Sequence, residues 1–337
     1  MGILRLLLAL SIVIHHSYPL FGMTLLGRDP ALKAFYIISG FYMSLILNEK
    51  YVGKNGGYSL FITNRFFRIF PAYWLILFLT IAFNYFFLQT NFFMNSFSNI
   101  LNDLTLLIRT DYLQINTNFR QPLTLPIAYT LVLELCFYVV APFIARRKKK
   151  FLLIISSLAL VIHFIVFMIL RLHHEPTGDW FFPEVIIYFL LGVLAYKIYQ
   201  QIKNKKISSR WVISLFSITI LSTLFYAFIP IYYHVSSIFT LKEWLYILLI
   251  TISVPFIFKL TNKMQIDRLL GELSYPIYLS HSLIIVCLLK FGVIQMTTSL
   301  STLIIIIYTI LFSCILYYLL EKPIERFRQR RVKGFKS

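Results

Sequence analysis

Six titratable residues stand inside long apolar stretches: Arg5, His15, His16, Glu134, His163 and His281. Such side chains are expensive at membrane depth unless paired, so they mark sites of function or of deliberate pairing. Arg5 and His16 are eleven residues apart. On a helix this is three turns plus about 20°, so both lie on one face, separated by about 16 Å along the axis. His15 points about 100° away. An imidazole has an ordinary pKa near 6.5, which suits proton transfer or nucleophilic attack at neutral pH. The plainer readings are a snorkelling anchor for Arg5 and a hydrogen-bonded packing residue for His16. Glu134 lies in Tyr129-Thr130-Leu131-Val132-Leu133-Glu134. A carboxylate there must be paired or protonated. It serves equally well as a reacting group or as a partner for a cation on another helix. Tyr275, Tyr278 and His281 recur every third residue and form one polar stripe. Interhelical hydrogen bonding is the plainer account of that stripe. His163 has no polar companion at helical spacing and is expected to be structural.

A second chemistry is carried by Arg65-Phe66-Phe67-Arg68-Ile69-Phe70-Pro71. Residues three apart are neighbours on a helix. Two adjacent guanidinium groups repel unless an anion lies between them, and their planar forks suit phosphate. A topological anchor would explain the charge, but not two arginines at this spacing.

These residues must be positioned by membrane helices. The chain has 337 residues, 59% hydrophobic and 13% charged, against about 25% charged for a soluble domain. Ten stretches approach the ~20 residues that cross a bilayer: 2–21, 31–48, 70–89, 123–145, 151–171, 181–199, 211–231, 242–259, 273–290 and 299–320. The fold expected is all-α, a single bundle of about ten transmembrane helices. The net charge of +19 would point to nucleic acid in a soluble protein; here it sits in short loops. Basic segments follow every even-numbered stretch: Lys50 to Arg68, Arg146 to Lys150, Lys203 to Arg210, Lys259 to Arg268, and the tail 321–337. By the positive-inside rule both termini are cytoplasmic. The N-terminal stretch lacks a cleavage site and reads as a retained span. Cys136, Cys287 and Cys314 form no CxxC pair, which argues against a zinc site or disulfide framework. No metal is expected. The segment 90–122, with its short apolar run from Ile100 to Ile108, reads as an outer loop with an interfacial or re-entrant helix. The segment 172–180 reads as a smaller outer loop.

In order along the chain, these pieces resemble the acyltransferase 3 family of multi-pass membrane acyltransferases. Arg5 and His16 match its first-span spacing. Phe35-Tyr36-Ile37-Ile38-Ser39-Gly40-Phe41 is similar to its aromatic Ser-Gly-Phe motif, and Arg65 and Arg68 to its cytoplasmic Arg pair. Glu134 with Phe137 and Tyr138 resembles its mid-chain Glu motif. Ser274 to His281 and Glu321-Lys322-Pro323 resemble its C-terminal signatures. Two departures bear on the acceptor: Lys33 stands where the family often has Asp, and Tyr129 where it often has Trp.

The resemblance implies transfer from cytoplasmic acyl-CoA, as a cosubstrate and not a resident cofactor, to a carbohydrate or lipid-linked sugar. Acetyl-CoA is the expected donor. A surface polysaccharide such as lipopolysaccharide O-antigen is the expected acceptor, in a bacterial inner membrane. His16 and Glu134 are the expected catalytic residues; Arg5, Arg65 and Arg68 are expected to hold the donor. Ser39, Gly40, Tyr275, Tyr278 and His281 are further site residues. The rival readings are a lipid-linked sugar flippase and a non-catalytic membrane subunit. Succinyl transfer is the rival within the enzyme class, with Lys33 or Arg28 as the extra cation it would need.

Overall fold

The computed structural model describes residues 1–51, 57–88, 103–106, 125–172, 181–229 and 241–334. Most of 90–122 and nearly all of 172–180 lie outside the described residues, so the two loop expectations do too. Among the described residues all regular structure is helical, apart from an isolated bridge between Leu20 and Met23. Eleven α-helices are named in chain order: α1 (Gly2–His15), α2 (Arg28–Glu49), α3 (Gly57–Phe83), α4 (Tyr129–Ile144), α5 (Lys149–Leu172), α6 (Phe182–Ile202), α7 (Ser209–Leu224), α8 (Leu241–Thr261), α9 (Gln265–Lys290), α10 (Ser299–Leu316) and α11 (Lys322–Gly334). Among the described residues, seven helical stretches are long and apolar enough to cross a membrane. Three shorter apolar helices, α1, α4 and α7, occupy the remaining expected places. The first ten helices thus fall one by one on the ten apolar stretches, while α11 is a charged helix beyond them.

Lipid-facing surfaces are read from burial. On α5, Ile154, Leu158, Val161 and Ile165 are all exposed. Their spacing places them on one helix face, and bare aliphatic side chains in a continuous stripe belong against hydrocarbon. Leu300, Ile307, Leu311 and Ile315 do the same on α10. The core lies inside, where Phe41, Tyr73, Phe137, Tyr188, Phe189 and Tyr196 are fully buried.

Three boundaries differ from the sequence reading, and each matters to the site. First, α1 stops at His15, six residues short of the expected end at 21. Pro19 cannot donate a helical bond, and Phe21, Gly22, Leu25 and Gly27 have positive φ. The loop's backbone groups are satisfied elsewhere. Thr302 Oγ1 donates to the Tyr18 carbonyl at 2.5 Å, Ser299 Oγ to the Pro19 carbonyl at 3.1 Å, and the Phe21 N–H to Ser299 Oγ at 2.9 Å. Second, α3 begins at Gly57, 13 residues before the expected 70. Arg65 and Arg68 therefore sit within a helix and not at its entrance. Third, α9 begins at Gln265 and carries Asp267, Arg268 and Glu272 in its first turns. In addition, α10 continues through a π-helical turn, Tyr317–Glu321, into α11; such turns re-aim side chains within a helix.

The helices nearest the site are set by small residues. A methyl group at Gly40 would stand 2.1 Å from the Phe189 carbonyl oxygen, and one at Gly192 2.0 Å from that of Ile37. Helices α2 and α6 therefore cross backbone to backbone, which only glycine permits. The same holds where Gly2 of α1 meets the Asp267 carbonyl of α9. Helices α2 and α6 are thus locked close together, as are α1 and α9.

Candidate functional site

Between these helices lies a cavity of about 780 Å³. Along α2 its lining runs from Leu32 to Lys50, a length of about 27 Å at 1.5 Å per residue. Its inner end lies where α1 and α9 begin and α2 ends, and is lined by Met1, Lys50, Arg268, Arg328 and Lys333. Its deep end reaches Phe35, Thr130 and Tyr278.

Seven of the ten sequence-expected residues line this one space: Arg5, Ser39, Arg65, Arg68, Glu134, Tyr275 and Tyr278. They come from five helices and were brought together only by packing. Midway along, Glu134 Oε1 accepts from Ser39 Oγ at 2.8 Å and from Tyr138 Oη at 2.5 Å. One carboxylate oxygen thus gathers hydroxyls from α2 and from its own helix. The Arg5 guanidinium lies 5.9 Å from the Tyr42 ring centre, in cation–π range.

The Arg pair divides its duties. Arg68 donates to Glu321 Oε2 at 3.0 Å and lies 5.4 Å from the Tyr275 ring centre. Tyr275 is held in turn by donating to the Ile69 carbonyl at 2.9 Å. Arg65 has no ion pair among the described residues. It lies 5.8 and 5.9 Å from the Phe61 and Tyr138 rings, and its Nε is buried without a hydrogen-bond partner. Among the described residues, the chain itself supplies a carboxylate to Arg68 and none to Arg65.

The two histidines and Gly40 stand apart from the cavity lining. Gly40 is consumed by the crossing with α6. At the deep end the Thr130 and Tyr278 hydroxyls lie 2.7 Å apart, each 3.0 Å from the Ile127 carbonyl. One turn further along α9, His281 is fully buried and donates from Nδ1 to the Tyr278 carbonyl at 2.7 Å. Its Nε2 is buried without a partner. The His281 ring stacks on that of His16, with centres 5.4 Å apart and an interplanar angle of 27°. His16 itself is exposed at the C-terminal end of α1. A continuous succession therefore runs from the cavity through Tyr278 and His281 to His16.

His163, expected to be structural, has companions that sequence spacing does not show. Its Nδ1 lies 3.1 Å from the Glu184 carbonyl, and Phe164, Tyr188 and Trp244 surround its ring. Lys33 forms an ion pair with Glu243 at 2.7 Å and Arg28 with Asp29 at 2.6 Å. Both cations considered for a succinyl pocket are thus engaged by carboxylates.

Sequence reasoning did not single out Tyr42, Thr130, Glu272, Glu321 or Arg328 as site residues, though all line the cavity. The Glu321-Lys322-Pro323 signature was the available clue to one of them.

The family model for an acyltransferase domain matches residues 1–318 of the chain. The match takes in Arg5, His16, the Ser39-Gly40 motif, the Arg pair, Glu134 and the Ser274–His281 segment; Glu321 lies just beyond it. No curated protein and no solved structure matches the chain. With nearly the whole sequence covered and its motif residues converging on one cavity, the chain belongs to the acyltransferase 3 family of membrane acyltransferases.

Proposed function

We propose that this protein is an O-acetyltransferase of the bacterial inner membrane. It moves an acetyl group from cytoplasmic acetyl-CoA to a hydroxyl of a surface polysaccharide or lipid-linked sugar, such as lipopolysaccharide O-antigen. All ten apolar helices cross the membrane in this reading, and both ends of the chain are cytoplasmic. The observation that carries it is the cavity, rich in arginine near its inner mouth, whose deep end at Tyr278 is followed by His281 and by the exposed His16 stacked on it.

Arg65 and Arg68, with Arg5 beyond them, hold the phosphate groups of coenzyme A. The pantetheine arm lies along α2 and α9, past Ser39 and Glu134. The thioester passes the Thr130–Tyr278 contact to reach the histidine pair. The acceptor hydroxyl approaches His16 from its exposed side. His16 takes the hydroxyl proton as the oxygen attacks the acyl carbon. The carbon–sulfur bond then breaks, and the proton passes to the departing thiolate to give free coenzyme A. The stacked His281 ring holds the His16 imidazole in place for this transfer. Glu134 orients the hydroxyls of Ser39 and Tyr138 along the donor path. Acetyl is preferred over succinyl because Lys33 and Arg28 are already paired.

The test uses membranes containing the protein, labelled acetyl-CoA and extracted glycan. Wild type should release coenzyme A and label the glycan. His16→Ala should reduce labelling by about 10²–10⁴-fold while the protein remains in the membrane at wild-type level. Labelling retained in His16→Ala would refute the role of His16. No transfer by wild type from acetyl-CoA or succinyl-CoA would refute the enzyme reading.

A further inference from the structure

Beyond the Arg pair, the inner mouth of the cavity holds a second arrangement of cations. Asp267 is taken by the N-terminal amine at 2.6 Å, Glu272 by Arg268 at 2.9 Å, and Glu321 by Arg68 at 3.0 Å. Glu325 accepts from Arg328 at 2.6 Å and from Gln329 at 2.9 Å. Among the described residues these pairs leave Lys50, Arg65 and Lys333 at the mouth with no ion pair.

Arg328 is the unusual member. It lies on α11, past the last residue of the family match. It is 7% exposed, and Arg65 is 8% exposed. Both guanidinium groups keep an Nε–H that is buried and unpartnered, and both line the cavity. Arg328 is repelled by Arg65 and held by Glu325 at 2.6 Å. Burying a guanidinium donor without an acceptor is costly. Two such donors on neighbouring like charges call for an anion that is not part of the chain. A second feature keeps Arg328 in place: Arg331, one turn on, donates to Asn64 Oδ1 at 3.3 Å and Thr63 Oγ1 at 3.2 Å. Helix α11 is thereby fastened to α3 beside Arg65.

We infer that Arg328 and Arg65, with Lys50 at the rim, form a phosphate site at the cavity mouth that takes the ribose 3′-phosphate of coenzyme A. This rests on the acyl-CoA reading above. The order of the cations supports the assignment. Arg65 precedes Arg68 by one helical turn toward the inner end, so the site at the mouth meets the nucleotide end of a donor whose thioester points inward. Arg68 and Arg5 are then left to the diphosphate. Helix α11 becomes part of the binding site and not a mere charged tail.

The experiment compares coenzyme A with 3′-dephospho-coenzyme A, binding each to the full-length protein in nanodiscs by calorimetry. Wild type should bind the dephospho form about 10–100-fold more weakly, the range for a charge-assisted contact. Arg328→Gln should lose about the same factor for coenzyme A and less than about twofold for the dephospho form. Arg328→Lys, which keeps the charge and loses the fork, should fall between for coenzyme A only; it also serves if Arg328→Gln does not fold. Equal losses for both ligands, or no loss for either, would overturn the assignment while leaving the acyl-CoA reading intact. Failure of wild type to bind either ligand would bring down the acyl-CoA reading, and this site with it.

Discussion

Replacing Gly40 with alanine should damage catalysis from outside the cavity. The added methyl would meet the Phe189 carbonyl oxygen at 2.1 Å, where ordinary contact begins at 3.4 Å. The helices must therefore separate by up to 3.4 − 2.1 = 1.3 Å. Neither side of the contact is a flexible side chain, so the displacement must be absorbed by α2 and α6 themselves. Overpacking of this kind costs about 1–3 kcal/mol, which corresponds to a melting point about 2–10 °C lower. The neighbouring residue is Ser39, whose hydroxyl reaches Glu134 at 2.8 Å. A functional constellation tolerates only about 0.5 Å of error, and misplacement by about 1 Å can cost about 10²-fold in rate. Gly192→Ala approaches the same crossing from the other side, with Ile37 at 2.0 Å, and should reproduce the phenotype. The double variant should be less than additive, because one separation relieves both clashes. Thermal unfolding in nanodiscs and coenzyme A release on the same preparations measure both effects. If Gly40→Ala melts within about 1 °C of wild type and turns over within about twofold, α2 is not held by this contact and the argument fails.

Glu134→Gln keeps shape and removes charge from the acceptor of Ser39 and Tyr138. It should lower kcat by at least about tenfold, with coenzyme A binding unchanged by calorimetry. His281→Phe preserves the stack but removes the Nδ1–H donated to Tyr278. It should lower kcat more than it alters KM; an unaltered kcat would make His281 a packing residue. Glu321→Gln removes the charge from the carboxylate that pairs with Arg68, so it should tighten coenzyme A binding several-fold by calorimetry while lowering the melting temperature. For topology, cysteine placed at Arg147 or Arg210 should react with an impermeant maleimide only from the cytoplasmic side; labelling of intact cells from outside would overturn the orientation.

Much of the architecture was legible because lipid demands it. Ten apolar stretches yielded ten helices, since a bilayer leaves the backbone few alternatives. The ends of helices were less legible. The early stop of α1 depends on a loop held by Ser299 and Thr302, nearly the whole chain away. The early starts of α3 and α9 were hidden because their first turns are polar, and they pack on protein instead of lipid. The site was legible as residue types but not as pairings. Arg68 and Glu321 are 253 positions apart, and no spacing rule connects them. His16 and His281 were each visible as isolated imidazoles, and the packing of α1 along α9 makes them a pair. His163 shows the converse: Tyr188 and Trp244 reach it from two other helices, so it looked solitary in the sequence.

The Thr130–Tyr278 contact has a consequence for the energetics of the cell. An opening lined with arginine, glutamate and water along its whole length would also conduct ions. Each elementary charge leaking across is worth about 2.3 kcal/mol per 100 mV of membrane potential. The cavity lining ends at Thr130 and Tyr278, whose hydroxyls are spent on each other and on the Ile127 carbonyl. Behind them His281 is wholly enclosed. In the reading proposed above, two side chains and a carbonyl would act as an insulating washer, and the acyl group must cross it without dissipating the gradient that the cell maintains on either side.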